Sequence, residues 1–299
     1  QMLLRRVGPP LAWEKFLLVF YVLVTSPNKQ SNSNQHHFGN SVSVKLSHNV
    51  IGEGQPLVIL HGLFGSKRNW SSIARLLSDR FRVLTVDLRN HGESPWNDVH
   101  DYPSMAEDVA TLIEQKCSKP ALVLGHSMGG KVAMYLSLVW SHLVNQLIVV
   151  DIPPARSSGT PIDYVHAMQK VPLATLSHRR DVELALADMI PDPKVRGFLV
   201  TNITSQPEGL TWTANLDAIE KYFDQILDWP DSLKGRQFFR PTLFLEGEYS
   251  TFVGPEHVEV IQHFFPAAHQ QIIENAGHWV HVENTAAFLH AVRAFLESS

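Results

Sequence analysis

A serine hydroxyl is a weak nucleophile until a base lies within hydrogen-bond reach and backbone donors wait for the negative charge it creates. Gly125-His126-Ser127-Met128-Gly129 has the G-x-S-x-G form that presents such a serine on a sharp strand-to-helix turn. The pattern alone is weak, but its context is specific. It follows the apolar run Ala121–Leu124 directly and leads into Gly130-Lys131-Val132-Ala133-Met134, which reads as the start of a helix. Gly125 and Gly129 keep bulk away from a tight turn, and Ser127 projects at a helix amino terminus, where the dipole favours developing negative charge. The bland alternative is an ordinary strand–helix turn with an exposed serine.

In enzymes built on such a turn the partners follow in the order Ser, acid, His. Among the histidines after Ser127, His278 has the best setting. Asn275-Ala276-Gly277-His278 lies between the last expected strand and the last expected helix. His281 is the runner-up; His257, His263 and His269 sit on or beside a helical stretch and read as surface. His126 reads as packing inside the turn, and His61 as holding its loop. The oxyanion needs two amide donors. Met128 supplies one, and the loop His61-Gly62-Leu63-Phe64-Gly65 supplies the other through Leu63 or Phe64, with Leu63 preferred. The acid is less obvious. After the next-to-last strand, where an aspartate is usual, the chain has Ser250, and Glu246 and Glu248 have the wrong spacing. One strand earlier, Asp151 ends the run Val149-Val150 and can orient an imidazole, although an aspartate there could simply cap a turn. Asp87, Arg89 and His91 close another strand and read as a structural bend.

The elements that must position these groups are legible in the apolar pattern. Continuous runs at Leu57–Leu60, Arg82–Leu88, Ala121–Leu124, Leu147–Val150, Thr242–Leu245 and Gln271–Ile273 suit strands buried on both faces, with Val42–Leu46 as an alternating edge strand. Helical stretches near 69–78, 103–117, 129–140, 255–264 and 283–297 alternate with them, which predicts an α/β fold with a mostly parallel, doubly wound sheet. Residues 155–235 break the rhythm. They show helical patterns chopped by Pro161, Pro172, Pro191, Pro193 and Pro207 and no convincing strand, so they read as an all-helical cap. The cap is apolar, with Met168, Met189, Ile190, Phe198, Leu199 and Trp212 among its side chains, and carries no clustered charge. An apolar acyl chain suits it, although most of these residues would serve only to pack the cap on the sheet.

Composition excludes other classes. The 299 residues are 44% hydrophobic and carry a net charge of −4 without a basic block, which speaks against nucleic acid. A single cysteine, Cys117, forbids an intrachain disulfide or a cysteine-based zinc site. Asn69 and Asn202 begin N-x-[ST] sequons, which matter only in a secreted chain. Residues 1–40 read as a poorly ordered leader and linker. The apolar run Phe16–Val24 falls far short of the roughly 20 residues of a spanning helix, so no transmembrane span is expected. A basic, acid-poor leader suits mitochondrial import; a signal peptide and a bland tail are the alternatives.

Together these motifs resemble the alpha/beta-hydrolase domain-containing protein 11 family and its bacterial YbfF-type esterase relatives. The likeness rests on His61-Gly62-Leu63-Phe64-Gly65-Ser66, on Asp87 through Pro95, and on Gly125 through Lys131. It continues through Val150-Asp151-Ile152-Pro153-Pro154 and Asn275 through His281, and so covers residues 50–299. The resemblance implies an α/β-hydrolase domain over 41–299 with a helical cap, 155–235, inserted between the sixth and seventh strands. It implies Ser127 as nucleophile, Asp151 as acid and His278 as base, and use of the earlier aspartate is a habit of the family. The expected activity is cofactor-free ester hydrolysis without a metal, with diacylglycerol as a lipid substrate. The resemblance also implies a mitochondrial matrix location, with a cytoplasmic one as alternative, and association with the 2-oxoglutarate dehydrogenase complex. Two other readings stand beside this: thioesterase or amidase chemistry on the same site, or a mainly non-catalytic partner stabilising a mitochondrial 2-oxoacid dehydrogenase complex. A serine rather than an aspartate at the turn argues against dehalogenase or epoxide-hydrolase chemistry.

Overall fold

The apolar runs assemble into one seven-stranded sheet in the computed structural model, which describes residues 43–157 and 162–297. The strands are β1 (His48–Ile51), β2 (Gln55–Leu60), β3 (Phe81–Val86), β4 (Ala121–His126), β5 (Val144–Val150), β8 (Thr242–Gly247) and β9 (Ala268–Ile273), in the spatial order β1-β3-β2-β4-β5-β8-β9. All neighbours are parallel except β1, which pairs antiparallel with β3. Burial follows composition. β4 is buried at every residue, whereas the edge strands β1 and β9, which carry His48-Asn49 and His269-Gln270-Gln271, are mostly exposed. Helices α1 (Ser71–Leu77), α2 (Tyr102–Lys116), α3 (Met128–Val139), α9 (Val258–Phe264), α10 (Val280–Glu283) and α11 (Thr285–Glu297) flank the sheet. They cover its two faces with two separate apolar clusters.

The strand–helix alternation and the doubly wound sheet are as expected from the sequence, with three differences. The edge strand is His48–Ile51 rather than Val42–Leu46, of which residue 42 lies outside the described residues. Residues 44–47 form no ladder because their backbone groups bond elsewhere. Val44 N–H donates to Asp108 Oδ1 at 2.7 Å and Ser47 N–H to Ser94 Oγ at 2.9 Å; only Ser47 C=O, which accepts from Asp87 N–H at 2.9 Å, continues the register with β3. Second, the insertion lies between β5 and β8, which are the fifth and sixth strands of this sheet among the described residues, not the sixth and seventh. Among the described residues one strand, β1, precedes β2, so the count is one lower.

Third, the cap is not all helical. It contains α4 (Asp163–Lys170), α5 (Arg179–Ala185), α6 (Pro193–Leu199), α7 (Leu216–Lys221) and α8 (Phe223–Leu227), and also a hairpin of β6 (Ile203–Gln206) with β7 (Gly209–Trp212). Pro207, read as a helix breaker, instead makes the turn with Glu208, and Gly209 follows at φ 125°. Pro193 opens α6 behind an Asp192 side chain that accepts from Lys194 N–H at 2.8 Å, which is the position where proline starts a helix. Lys131, just past the serine turn, ties the end of the cap to α3. Its Nζ donates to Leu227 O at 2.7 Å and to Asp228 O at 3.0 Å. The expected leader and linker, residues 1–40, and Pro161 lie outside the described residues. Among the described residues no helix is long and apolar enough to cross a membrane.

Candidate active site

Ser127 sits between the end of β4 and the start of α3 with φ 53° and ψ −122°. That region is strained for a non-glycine residue, and it turns the side chain up from the sheet edge. The turn admits no bulk. A Cβ on Gly125 would lie 2.2 Å from Gly129 O, and one on Gly129 would lie 2.4 Å from His61 O. Asp151 follows β5 directly, with φ 55°, a conformation that aspartate tolerates better than most residues. Its carboxylate thereby swings under the loop that carries His278.

The three side chains meet. Ser127 Oγ lies 3.1 Å from His278 Nε2, and His278 Nδ1 lies 2.7 Å from Asp151 Oδ2. These contacts assign the tautomer: Nδ1–H donates to the carboxylate and Nε2 is free to accept the serine proton. Asp151 is fully buried, and two further donors hold it, Gly247 N–H to Oδ1 at 3.1 Å and Ser250 Oγ–H to Oδ2 at 2.5 Å. Ser250, at the place where the acid was first sought, therefore supports the carboxylate that stands one strand earlier. Glu246 and Glu248 face away: Glu246 Oε1 accepts from Gln270 and Glu248 Oε2 from Asn275 N–H. Asp151→Asn is expected to lower kcat by about 10⁴-fold, because an amide nitrogen facing Nδ1 favours the wrong tautomer. Glu246→Gln and Glu248→Gln should leave kcat within a factor of two. Steady-state kinetics on one chromogenic ester checks all three.

The remaining histidines take other places. His281, the runner-up, stacks on Trp70 at 4.0 Å between ring centroids, and its Nδ1 has no partner among the described residues. His126 Nε2 donates to His278 O at 2.8 Å and so braces the loop bearing the base. His61 Nε2 accepts from Leu88 N–H at 3.0 Å. Burial holds His126 well below the ordinary histidine range and brings His281 down to about 3, in each case helped by the adjacent His278. His278 therefore takes up its proton beside two neutral rings rather than two cations. Asp87, Arg89 and His91 form the expected structural bend. Asp87 receives the Lys67 ammonium at 3.0 Å, Arg89 makes two bonds to buried Asp108 at 2.6 and 2.8 Å, and His91 bonds the oxyanion loop.

The oxyanion donors also separate. Phe64 N–H is already donated to His91 Nε2 at 3.2 Å. The Leu63 and Met128 amides carry no bond within the protein among the described residues; Met128 follows Ser127 in the chain, and Leu63 lines the same cavity as Ser127. This cavity, of about 200 Å³, is lined by Trp70, Tyr164, Val195, Phe198, Phe252 and Trp279 together with Ser127, His278 and the loop Gly62–Gly65. Of the apolar cap residues noted in the sequence, only Phe198 and Leu199 line it; Met168 and Ile190 pack into the core. Phe252, which the sequence did not single out, stacks on the His278 ring at 3.8 Å. Ser250 was visible as an anomaly of position, but nothing local marked Phe252. The Asn202 sequon is buried, and its side-chain nitrogen bonds Phe64 O and Leu199 O, while Asn69 Oδ1 accepts from Ser66 N–H.

Residues 55–285 match the family described as alpha/beta hydrolase fold. A Xenopus laevis protein named sn-1-specific diacylglycerol lipase ABHD11 is 39% identical over 255 residues, which span 82% of this chain and 81% of that protein. Esterase YbfF of Escherichia coli strain K12 is 31% identical over 242 residues, 81% of this chain and 92% of that one. Among solved structures, one titled marine microorganism esterase superposes with a TM-score of 0.81 at 35% identity and covers 85% of this chain and 100% of its own.

Proposed function

This chain belongs to the alpha/beta hydrolase fold, in the family of ABHD11 and the YbfF-type esterases, and from that premise we propose that it cleaves lipid esters through an acyl-enzyme on Ser127. As a member it is an esterase/lipase, a carboxylic ester hydrolase. The mechanism and the lipid substrate are the proposal. The observation that carries the mechanism is the unbroken chain Ser127–His278–Asp151, with contacts of 3.1 and 2.7 Å, beside the Leu63 and Met128 amides, which make no hydrogen bond among the described residues.

His278 Nε2 takes the hydroxyl proton as Ser127 Oγ bonds to the ester carbonyl carbon. The carbonyl electron pair moves onto oxygen, which the Leu63 and Met128 N–H groups receive. Buried Asp151 stabilises the imidazolium without taking its proton. Collapse of the intermediate breaks the bond to the alcohol, and His278 protonates the leaving oxygen. His278 then deprotonates a water that attacks the acyl-enzyme, releasing the carboxylic acid and restoring Ser127.

The apolar lining from Trp70, Val195, Phe198 and Phe252 suits an acyl chain over a charged group. The cavity's 200 Å³ is little more than the roughly 150 Å³ that encloses a benzene. It therefore holds the ester and the first carbons of a chain, and the rest of a long chain leaves through the mouth or needs the cap to shift. Diacylglycerol as substrate is supported by the name of the Xenopus laevis relative. A mitochondrial matrix location beside the 2-oxoglutarate dehydrogenase complex rests on family resemblance alone and belongs to the same proposal, as does the cytoplasmic alternative.

A diacylglycerol with different acyl groups at its two positions, assayed beside a matched short-chain oxo-ester, thioester and amide, tests the reading. Fatty acid release from the diacylglycerol, with the oxo-ester cleaved at least tenfold faster than thioester and amide, is the expected result. Faster thioester or amide cleavage would move the enzyme to that chemistry, and turnover of the short ester alone would remove the lipid substrate. If a Ser127→Ala protein still sustained its role in cells, the non-catalytic partner would replace this account.

A further inference from the structure

The oxyanion loop is held from two sides, by the core and by the cap, and both anchors grip the same residue. Phe64 is buried and adopts φ 58°, a left-handed conformation that a bulky side chain disfavours. Its N–H donates to His91 Nε2 at 3.2 Å, and its C=O accepts from Asn202 Nδ2 at 2.7 Å. His91 is fully buried in the Asp87–Pro95 bend. Its Nδ1 proton is committed to Arg89 O at 3.1 Å, which leaves Nε2 as the acceptor that Phe64 needs. Asn202 lies in the cap, three residues beyond the end of α6, whose Phe198 and Leu199 line the cavity, and is 2% exposed. Its amide nitrogen faces two carbonyls, Phe64 O and Leu199 O at 3.1 Å, so only that orientation of the amide makes both bonds. Its own backbone C=O is held by Thr213 N–H at 2.7 Å and Oγ1–H at 3.1 Å.

We propose that His91 and Asn202 are positioning residues for ester cleavage: together they lock Phe64 in its left-handed turn, which aims the preceding Leu63 N–H at the oxyanion and completes that donor only when the cap is seated. The inference rests on the serine-hydrolase reading above. It follows from peptide planarity. Fixing the N–H of Phe64 fixes the plane of the Leu63–Phe64 peptide, and fixing its C=O fixes the next plane. With Gly65 N–H bonded to Gly62 O at 2.9 Å, the loop has no remaining freedom to rotate the Leu63 amide away. Neither residue touches the reacting atoms. The bend that reads as structural in the sequence thus acts on the chemistry through the loop, and the buried Asn202 contributes a tie between cap and loop.

The test uses Asn202→Leu, Asn202→Asp, His91→Leu and His91→Gln, with kcat and KM measured on an oxo-ester and on its thionoester, in which sulfur replaces the carbonyl oxygen. Sulfur is a poor acceptor in a site built for oxygen, so the oxo/thiono rate ratio reports the oxyanion donors and not general damage. The parent protein should show a large ratio. Asn202→Leu and Asn202→Asp should lose 10- to 100-fold in kcat on the oxo-ester at nearly constant KM, and the oxo/thiono ratio should collapse with it. His91→Leu should behave alike, and His91→Gln, whose carbonyl can accept from Phe64 N–H, should recover most of the ratio. If the Asn202 variants keep the parent ratio, or lose both substrates equally, the positioning role is wrong and the bonds only satisfy buried groups. Should His91→Leu fail to fold, the two Asn202 variants decide alone. A parent protein that cleaves neither ester and is not labelled at Ser127 overturns the serine-hydrolase reading itself, an outcome distinct from an unchanged ratio.

Discussion

Ser127→Ala should lower kcat on any ester substrate by about 10⁵- to 10⁶-fold, while KM and thermal stability stay close to the parent values. The hydroxyl makes one hydrogen bond, to His278 Nε2, and the residue is 9% exposed, so its removal leaves little unsatisfied. What it removes is the bond-forming atom. His278 and Ser127 act as one unit, because a base without its nucleophile has nothing to activate. The double variant Ser127→Ala with His278→Ala should therefore fall no further than Ser127→Ala alone. A residual rate above water remains expected from the Leu63 and Met128 amides and from binding. Rates on a chromogenic ester, with active-site titration to exclude contaminating parent enzyme, check this. A loss below 100-fold, or a double variant that multiplies the single losses, would mean that the chemistry lies elsewhere.

Mild acid should unfold this protein unusually steeply. His61, His91, His100, His126 and His281 are all buried, and burial is the leading cause that lowers each below the ordinary histidine value. For His100 and His281 the value is about 3. Each folded-state pKa lies below the unfolded value near 6.5, so below that pH the unfolded chain binds protons that the folded chain refuses. The stability these groups preserve is complete above pH 6.5 and is lost as pH falls toward their folded values. Between pH 7.5 and 5.5 His100 and His281 each cost roughly 1 kcal/mol, and His61, His91 and His126 act in the same direction, against a typical total of about 5–15 kcal/mol. Glu107, Asp108 and Glu246, whose carboxyls burial pushes up, work in the opposite sense and soften the slope. His281→Phe keeps the stack on Trp70, and His100→Leu removes a ring whose Nε2 is buried without a partner. Urea unfolding at the two pH values should show each variant losing roughly 1 kcal/mol less than the parent. Equal losses in parent and variants would show that these rings do not govern the acid limb.

The sequence carried most of the sheet and the centre of the site for one reason: both are written locally. A strand buried on two faces must be a continuous apolar run, and the serine turn needs its glycines at fixed offsets. Hence β2, β4 and β5 and the setting of Ser127 could be read directly. The departures arise where distant groups decide. Residues 44–47 alternate like a strand, but Asp108 and Ser94 take their backbone donors. The hairpin around Pro207 has strands of only four residues, too short for a period to show. The choice between Asp151 and the later strand could not be made from spacing, because Ser250 and Asp151 meet across 99 residues of chain. Asn202 reaches Phe64 across 138 residues, and no pattern in a single sequence announces such a bond. The cap's apolar content was legible, but which of its side chains face the cavity depends on how α4 and α6 rotate onto the sheet.

An activated Ser127 in a Ser–His–Asp chain should react covalently with a fluorophosphonate probe. The folded parent protein, treated with excess probe and weighed intact, should gain the mass of one adduct, mapped by peptide mass to Ser127. Ser127→Ala should gain none, and Asp151→Asn should be labelled far more slowly. An unlabelled parent, or an adduct on another residue that persists in Ser127→Ala, would contradict the account.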